Sequence, residues 1–231
     1  MFSPDVRILG SGIVSRVAAL ALAHDGLTVA VHRRTAPAAA DLRAYALNPA
    51  SVALLQRLCV WDGLPDDART PVRDMRVHGD DGAAIGFSAW QQGVGALCWI
   101  VDAAALEDTL EAAVRFAPRL QAQDEPAAAP LTLVCEGKAS AAREALGVRF
   151  VRHAYGHHAL AARLVADRPH QGIAWQWFGA PDVLALLPVG QPEAGHSYAL
   201  VWSQPEAAAR QWCEAEPAAL EAALEIGRAH V

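Results

Sequence analysis

Short β-branched and aliphatic runs alternate along the chain with longer stretches whose apolar positions recur at helical spacing. The run Asp5-Val6-Arg7-Ile8-Leu9 predicts a strand, Arg16 to Ala23 an apolar helix, and Thr28-Val29-Ala30-Val31 a second strand, which together make a βαβ unit. Asn48-Pro49 opens a helix through Val52, Leu54, Leu55 and Leu58, with proline at its first position. Met75–His78 and Ala84–Phe87, separated by Gly79-Asp80-Asp81-Gly82, predict a β-hairpin with a longer turn. Leu97 to Val101 is an apolar strand. Asp102 then caps a helix with Leu106, Leu110 and Val114 on its apolar face and Glu107 and Asp108 early, where the helix dipole favours them. Leu131 to Cys135 predicts a buried strand.

Loops separate these elements at 34–41, at Leu64-Pro65-Asp66-Asp67 and from Gln121 to Pro130. The texture changes from Phe150 onward. Trp175–Phe178, Val183–Leu187 and Tyr198–Trp202 predict strands joined by Gly/Pro turns, and Ala159 to Ala166 is read as a fourth. Sequential strands with short turns imply an antiparallel sheet, and Pro205 to Leu224 predicts one helix. The fold class is therefore α/β: a Rossmann-like domain built from residues 1–72 and 96–148, interleaved with an antiparallel sheet built from 73–95 and 149–204.

Candidate chemistry begins at the first strand's end. Gly10-Ser11-Gly12 leads directly into the apolar helix, an order that suits a dinucleotide. Gly10 permits a tight turn, Gly12 has no side chain to hold a pyrophosphate off the backbone, and the amides of the helix's first turn face the phosphate charge. Ser15 stands at the third glycine position. His32-Arg33-Arg34 ends the second strand where an acidic residue would take the ribose hydroxyls, and a neutral imidazole there accepts one hydrogen bond instead of two.

Bulk properties exclude several classes. The 231 residues are 53% hydrophobic, largely through alanine, with no run long enough to span a membrane and no secretory leader pattern. Net charge is −6, Lys138 is the single lysine, and no basic stripe points to nucleic acid. Cys59, Cys98, Cys135 and Cys213 are widely spaced and read as buried thiols of a reduced, cytoplasmic protein.

Three further segments carry a family resemblance. Arg43-Ala44-Tyr45-Ala46-Leu47-Asn48 follows the βαβ unit. Glu136-Gly137-Lys138-Ala139-Ser140-Ala141-Ala142-Arg143 follows a strand and looks like a D-G-x-x-S-x-x-R motif. Arg168 to Phe178, with Leu186-Leu187-Pro188, resembles strands that roof a substrate chamber. With the glycine turn, these resemble the FAD-dependent aromatic hydroxylases of ubiquinone biosynthesis, within the single-component flavin monooxygenases, from about Asp5 to Trp202. The resemblance implies that Gly10, Ser11, Gly12, Ile13 and Val14 cradle the FAD pyrophosphate. It puts Arg33 near the adenosine, and Arg43 on the pyrophosphate or flavin side. Glu136 and Gly137 stand near the FAD and nicotinamide path, with Arg143 supporting their turn. It also implies NAD(P)H as co-substrate and O2 as oxidant. It further implies a substrate with a phenolic ring and a polyprenyl tail, reached at the membrane surface or within a pathway complex. No catalytic side-chain triad and no metal are implied.

The chain departs from the family at His32, Ser15, Glu136 and Asp102-Ala103, and it lacks the second flavin signature, G-D-A-A-H. Residues 225–231 read as a translated sequencing adapter joined mid-helix, so a shortened reading frame is expected. An inactive FAD-binding fragment is accordingly one alternative. Another is an NAD(P)-dependent dehydrogenase, which needs a Tyr-x-x-x-Lys pair; no tyrosine stands four residues before Lys138. His153, His157 and His158 lack a neighbouring carboxylate or cysteine and read as structural. Trp175 and Trp177 share a strand face as sheet packing or as a stacking surface, and Asp80-Asp81 reads as a solvated turn.

Overall fold

The computed structural model describes residues 3–33 and 41–228, the last four of these by backbone alone. Residues 34–40 of the predicted loop and most of the adapter-like segment's detail therefore lie outside the described residues. In chain order the elements are β1 (Val6–Leu9), α1 (Ile13–His24), β2 (Val29–His32), β3 (Ala44–Leu47), α2 (Pro49–Arg57), β4 (Arg69–Val72), β5 (Asp74–His78), β6 (Ala84–Ser88), β7 (Cys98–Asp102), α3 (Ala103–Phe116), β8 (Leu120–Gln123), β9 (Leu131–Val134), α4 (Ala141–Ala145), β10 (His157–Val165), β11 (Ile173–Phe178), β12 (Val183–Val189), β13 (Ser197–Pro205), α5 (Glu206–Glu214) and α6 (Pro217–Arg228).

The chain divides into two compact units, one from residues 1–70 and 98–151, the other from 71–97 and 152–231. The first holds a parallel sheet in the order β8-β2-β1-β9. Helices α1 and α3 pack on each other and against this sheet. The core forms because β1 and β2 turn Val6, Ile8, Val29 and Val31 inward to meet Leu106, Leu110 and Val114 of α3, all at most 2% exposed. The two predicted caps are present: Asn48 accepts from the Ser51 amide at 2.8 Å and Asp102 from the Ala105 amide at 2.9 Å.

Two sequence expectations fail in this unit. Residues 121–123, read as loop, complete β8, whose polar composition hides a strand that the parallel register Val29↔Leu120 to His32↔Gln123 holds in place. The strand at Leu131, read as buried, is the sheet's edge, and Leu131 is 52% exposed.

The second unit is a six-stranded sheet in the order β10-β13-β12-β11-β5-β6. The residues read as a fourth strand at 159–166 form β10 except for Ala166, and β10 pairs antiparallel with β13 along its full length. The hairpin β5–β6 forms as read, and Asp81 accepts from the Ala83 amide in its turn. The sheet is not wholly antiparallel: β5 joins β11 in parallel register, Ile173↔Asp74 to Trp177↔His78. The single helix expected over 205–224 is two. Proline lacks the amide that would continue the ladder, so α5 stops at Glu214 and α6 starts at Pro217. Among the described residues no helix is long and apolar enough to cross a membrane.

Candidate functional site

The glycine turn after β1 is shaped by its neighbours. Gly10 has φ +116°, and a Cβ there would lie 2.3 Å from the Cys135 carbonyl oxygen, so only glycine fits between β1 and the end of β9. Gly12 is extended (φ −88°) and caps α1 without a side chain. A Cβ at Gly12 meets no atom within 4 Å. The turn thus leaves an open cradle in front of the first amides of α1, at Ile13 and Val14, and Val14 is itself 69% exposed. Uncapped amides at a helix N-terminus favour an anion, and the space a Cβ would fill suits a phosphate close to the backbone. The residues present therefore fit the pyrophosphate of a dinucleotide such as FAD.

Arg16, which sequence reasoning passed over, and Ser15 hold the cradle. Arg16 is 1% exposed; its Nε donates to Glu111 Oε2 of α3 at 2.9 Å, its Nη2 also contacts Glu111, and its Nη1 donates to the Ser11 carbonyl. Ser15, buried at the third glycine position, donates from Oγ to the Gly12 carbonyl at 2.6 Å. An arginine inside an otherwise apolar helix was the available signal, but its partner 95 residues away cannot be read from spacing.

His32 ends β2, and its role differs from the sequence reading. The Gly10 amide donates to His32 Nδ1 at 2.9 Å, so the ring's acceptor is turned inward to the turn and is not offered to a ribose. Arg33, more than half exposed, pairs with Asp124 at 2.9 Å beyond the end of β2. Arg43 is clasped by Asp41 (Nε to Oδ1 2.8 Å) beneath Tyr45, and this hydrogen bonding holds its guanidinium well above the ordinary arginine pKa.

Glu136 stands at the start of the turn leading to α4. Its Oε2 accepts from Ser140 Oγ at 2.6 Å and from the Ala142 amide at 3.0 Å, which lower its pKa below the usual carboxylate value. Arg143 donates to the carbonyls of Gly137 (3.1 Å) and Lys138 (2.8 Å) and lies over Phe150, so it braces the turn. Cys135 precedes it, and burial pushes its thiol pKa up.

In the second unit a cavity of about 720 Å³ opens beside β11, β12 and β13, lined by Trp175, Trp177, Leu186, Tyr198, His170 and Arg168 among others. Trp175 and Trp177 lie parallel at 5.8 Å on one face, and His78 of β5 stacks on both. His170 is buried, accepts from the Gly172 amide at 3.0 Å through Nδ1, and has its pKa lowered by burial. Such a cavity can hold a planar ring against aromatic faces. Asp80, by contrast, accepts from the Ala180 amide at 3.1 Å, in the segment between β11 and β12. His157 contacts the carbonyls of Tyr155 and Pro181, and no group of three or more metal-ligating side chains occurs among the described residues.

No protein-family model matches the chain. It is 27% identical over 226 residues to "Ubiquinone hydroxylase UbiL" of Rhodospirillum rubrum, covering 87% of this chain and 52% of that protein. It is 25% identical over 247 residues to the "3-demethoxyubiquinol 3-hydroxylase" of Escherichia coli K12, covering 95% of this chain and 62% of that protein. The chain therefore spans about half to six-tenths of the length of these curated relatives. The structure superposes on pqsL of Pseudomonas aeruginosa, described as "a probable FAD-dependent monooxygenase", with a TM-score of 0.75 at 15% identity, covering 90% of this chain and 62% of that one. The fold is that of the FAD-dependent monooxygenases.

Proposed function

We propose that the chain is the FAD-cradling and substrate-sheet portion of a flavin-dependent monooxygenase that hydroxylates a prenylated phenolic precursor of ubiquinone. In the overall reaction one oxygen atom of O2 enters the ring, the other leaves as water, and NAD(P)H supplies two electrons. Bound FAD supplies the oxygen-activating chemistry. The protein's own residues bind and orient. The amides of Ile13 and Val14 face the pyrophosphate across Gly12, Glu136 and Gly137 form the neighbouring turn, and the Trp175–Trp177 face receives the ring. A polyprenyl tail is lipid-soluble, so the substrate is expected to be met at a membrane surface.

The observation that carries this reading is the open cradle at Gly12, where nothing lies within 4 Å of an added Cβ. The substitution Gly12→Ala should therefore leave the fold unchanged and weaken FAD binding by about tenfold or more, roughly 1.4 kcal/mol. Flavin fluorescence titration measures the affinity and far-UV circular dichroism the fold. Unaltered FAD affinity in that variant, or a colourless wild-type protein that takes up no FAD, defeats the cofactor assignment. FAD uptake with no stimulation of NAD(P)H oxidation by prenylated phenols defeats the hydroxylase assignment for this chain and leaves flavin binding standing.

A further inference from the structure

His32 stands twenty residues after Gly12, at the end of β2, where dinucleotide-binding folds place an acidic residue that accepts from the adenosine ribose. A carboxylate there offers only acceptors. The backbone amide of Gly10 can only donate, and it is directed at His32 Nδ1 at 2.9 Å. That contact requires an unprotonated Nδ1, so in the neutral ring the proton sits on Nε2. The second nitrogen of His32 is therefore a donor. Glu136 is engaged by Ser140 and the Ala142 amide.

We infer that His32 is a specificity-determining residue that reverses the polarity of the ribose subsite: Gly10 fixes its tautomer, and its Nε2–H donates one hydrogen bond to a ribose hydroxyl oxygen of the adenine nucleotide. This rests on the FAD reading above, and it concerns this chain's own departure from the acidic pattern. The same contact ties nucleotide recognition to the glycine turn, because one ring spans both.

Two measurements test the inference. Long-range proton–nitrogen spectra of the isotope-labelled protein, with His32 assigned by through-bond correlation to its own backbone, should show the Nε2–H tautomer at pH 8. Adding ADP should shift that Nε2–H resonance, whereas 2′,3′-dideoxy-ADP should leave it in place. The calorimetric affinities of wild type and His32→Phe for the two nucleotides then close a cycle. Wild type should prefer ADP by about threefold to tenfold, and His32→Phe should prefer neither. An Nδ1–H tautomer, or the same preference in both proteins, overturns the inference. If the variant does not fold, the wild-type resonance still decides, since equal shifts with both nucleotides overturn it. Binding of neither ADP nor FAD overturns the cofactor reading and the ribose contact together. The tautomer then shows separately whether Gly10 fixes the ring.

Discussion

Gly10 and Gly12 sit two positions apart in one turn, yet a methyl group added to each meets opposite surroundings. At Gly10 it collides with the Cys135 carbonyl in a backbone conformation that disfavours any L side chain. The substitution Gly10→Ala is expected to destabilise the protein by about 3 kcal/mol or more, read from urea unfolding midpoints, whereas Gly12→Ala should cost little stability. His170 gives a second prediction at this scale. Burial, reinforced by His196 and opposed by the Val189 carbonyl, holds its pKa below the ordinary 6.5. The unfolded chain therefore binds the proton more readily, so the contribution is full above pH 6.5 and is lost as pH falls from there through the depressed folded value. Protonation would also set Nδ1–H against the Gly172 amide that now donates to it. Unfolding midpoints should drop between pH 7.5 and pH 5.5, and His170→Asn should flatten that drop.

Among the elements, α1 shows what the sequence could and could not disclose. Its glycine cap, its apolar face and its place between β1 and β2 were legible because strand, turn and helix are local patterns. So were α3, whose Leu106, Leu110 and Val114 recur every four residues, and the shared face of Trp175 and Trp177. Long-range pairing was not legible. Nothing in the polar run Gln121-Ala122-Gln123 announces that it docks beside β2, and nothing near Ile173 announces a parallel partner in β5. The turn at Gly10 and Gly12 was legible because glycines there mark a backbone need. Arg16, Glu111 and the inward bond of His32 were missed because their partners lie 95 and 22 residues away. Arg16 clamps α1 to α3 from a fully buried position, while about a third of Glu111 remains in solvent. Removing the carboxylate by Glu111→Ala leaves a buried guanidinium with the Ser11 carbonyl as its remaining partner. About 2–3 kcal/mol of stability should be lost, less than for a wholly buried pair, as measured by chemical denaturation.

For the whole molecule, the chain passes between its two units three times, near residues 70, 97 and 151. The parallel sheet and the six-stranded sheet are thus each assembled from separated stretches of sequence, and the cavity beside β11 to β13 and the open glycine turn belong to different units. A ligand that binds only the native cradle shifts the folding equilibrium by mass action. FAD at a hundred times its dissociation constant should add about 2.7 kcal/mol to the unfolding free energy. Urea titrations with and without FAD, followed by tryptophan fluorescence, check the shift, and coincident midpoints would show that FAD does not bind the native state.

One consequence follows from the position of β9. This strand borders its sheet with β1 on one side and, among the described residues, no strand on the other, while Leu131 and Val134 stay open to water. Its outer row of peptide groups is a hydrogen-bonding template in search of a complement, and apolar side chains sit beside it. Such a rim is able to pair with extended polypeptide, and the same holds for the edge strand β6, where Ile85 and Phe87 are exposed.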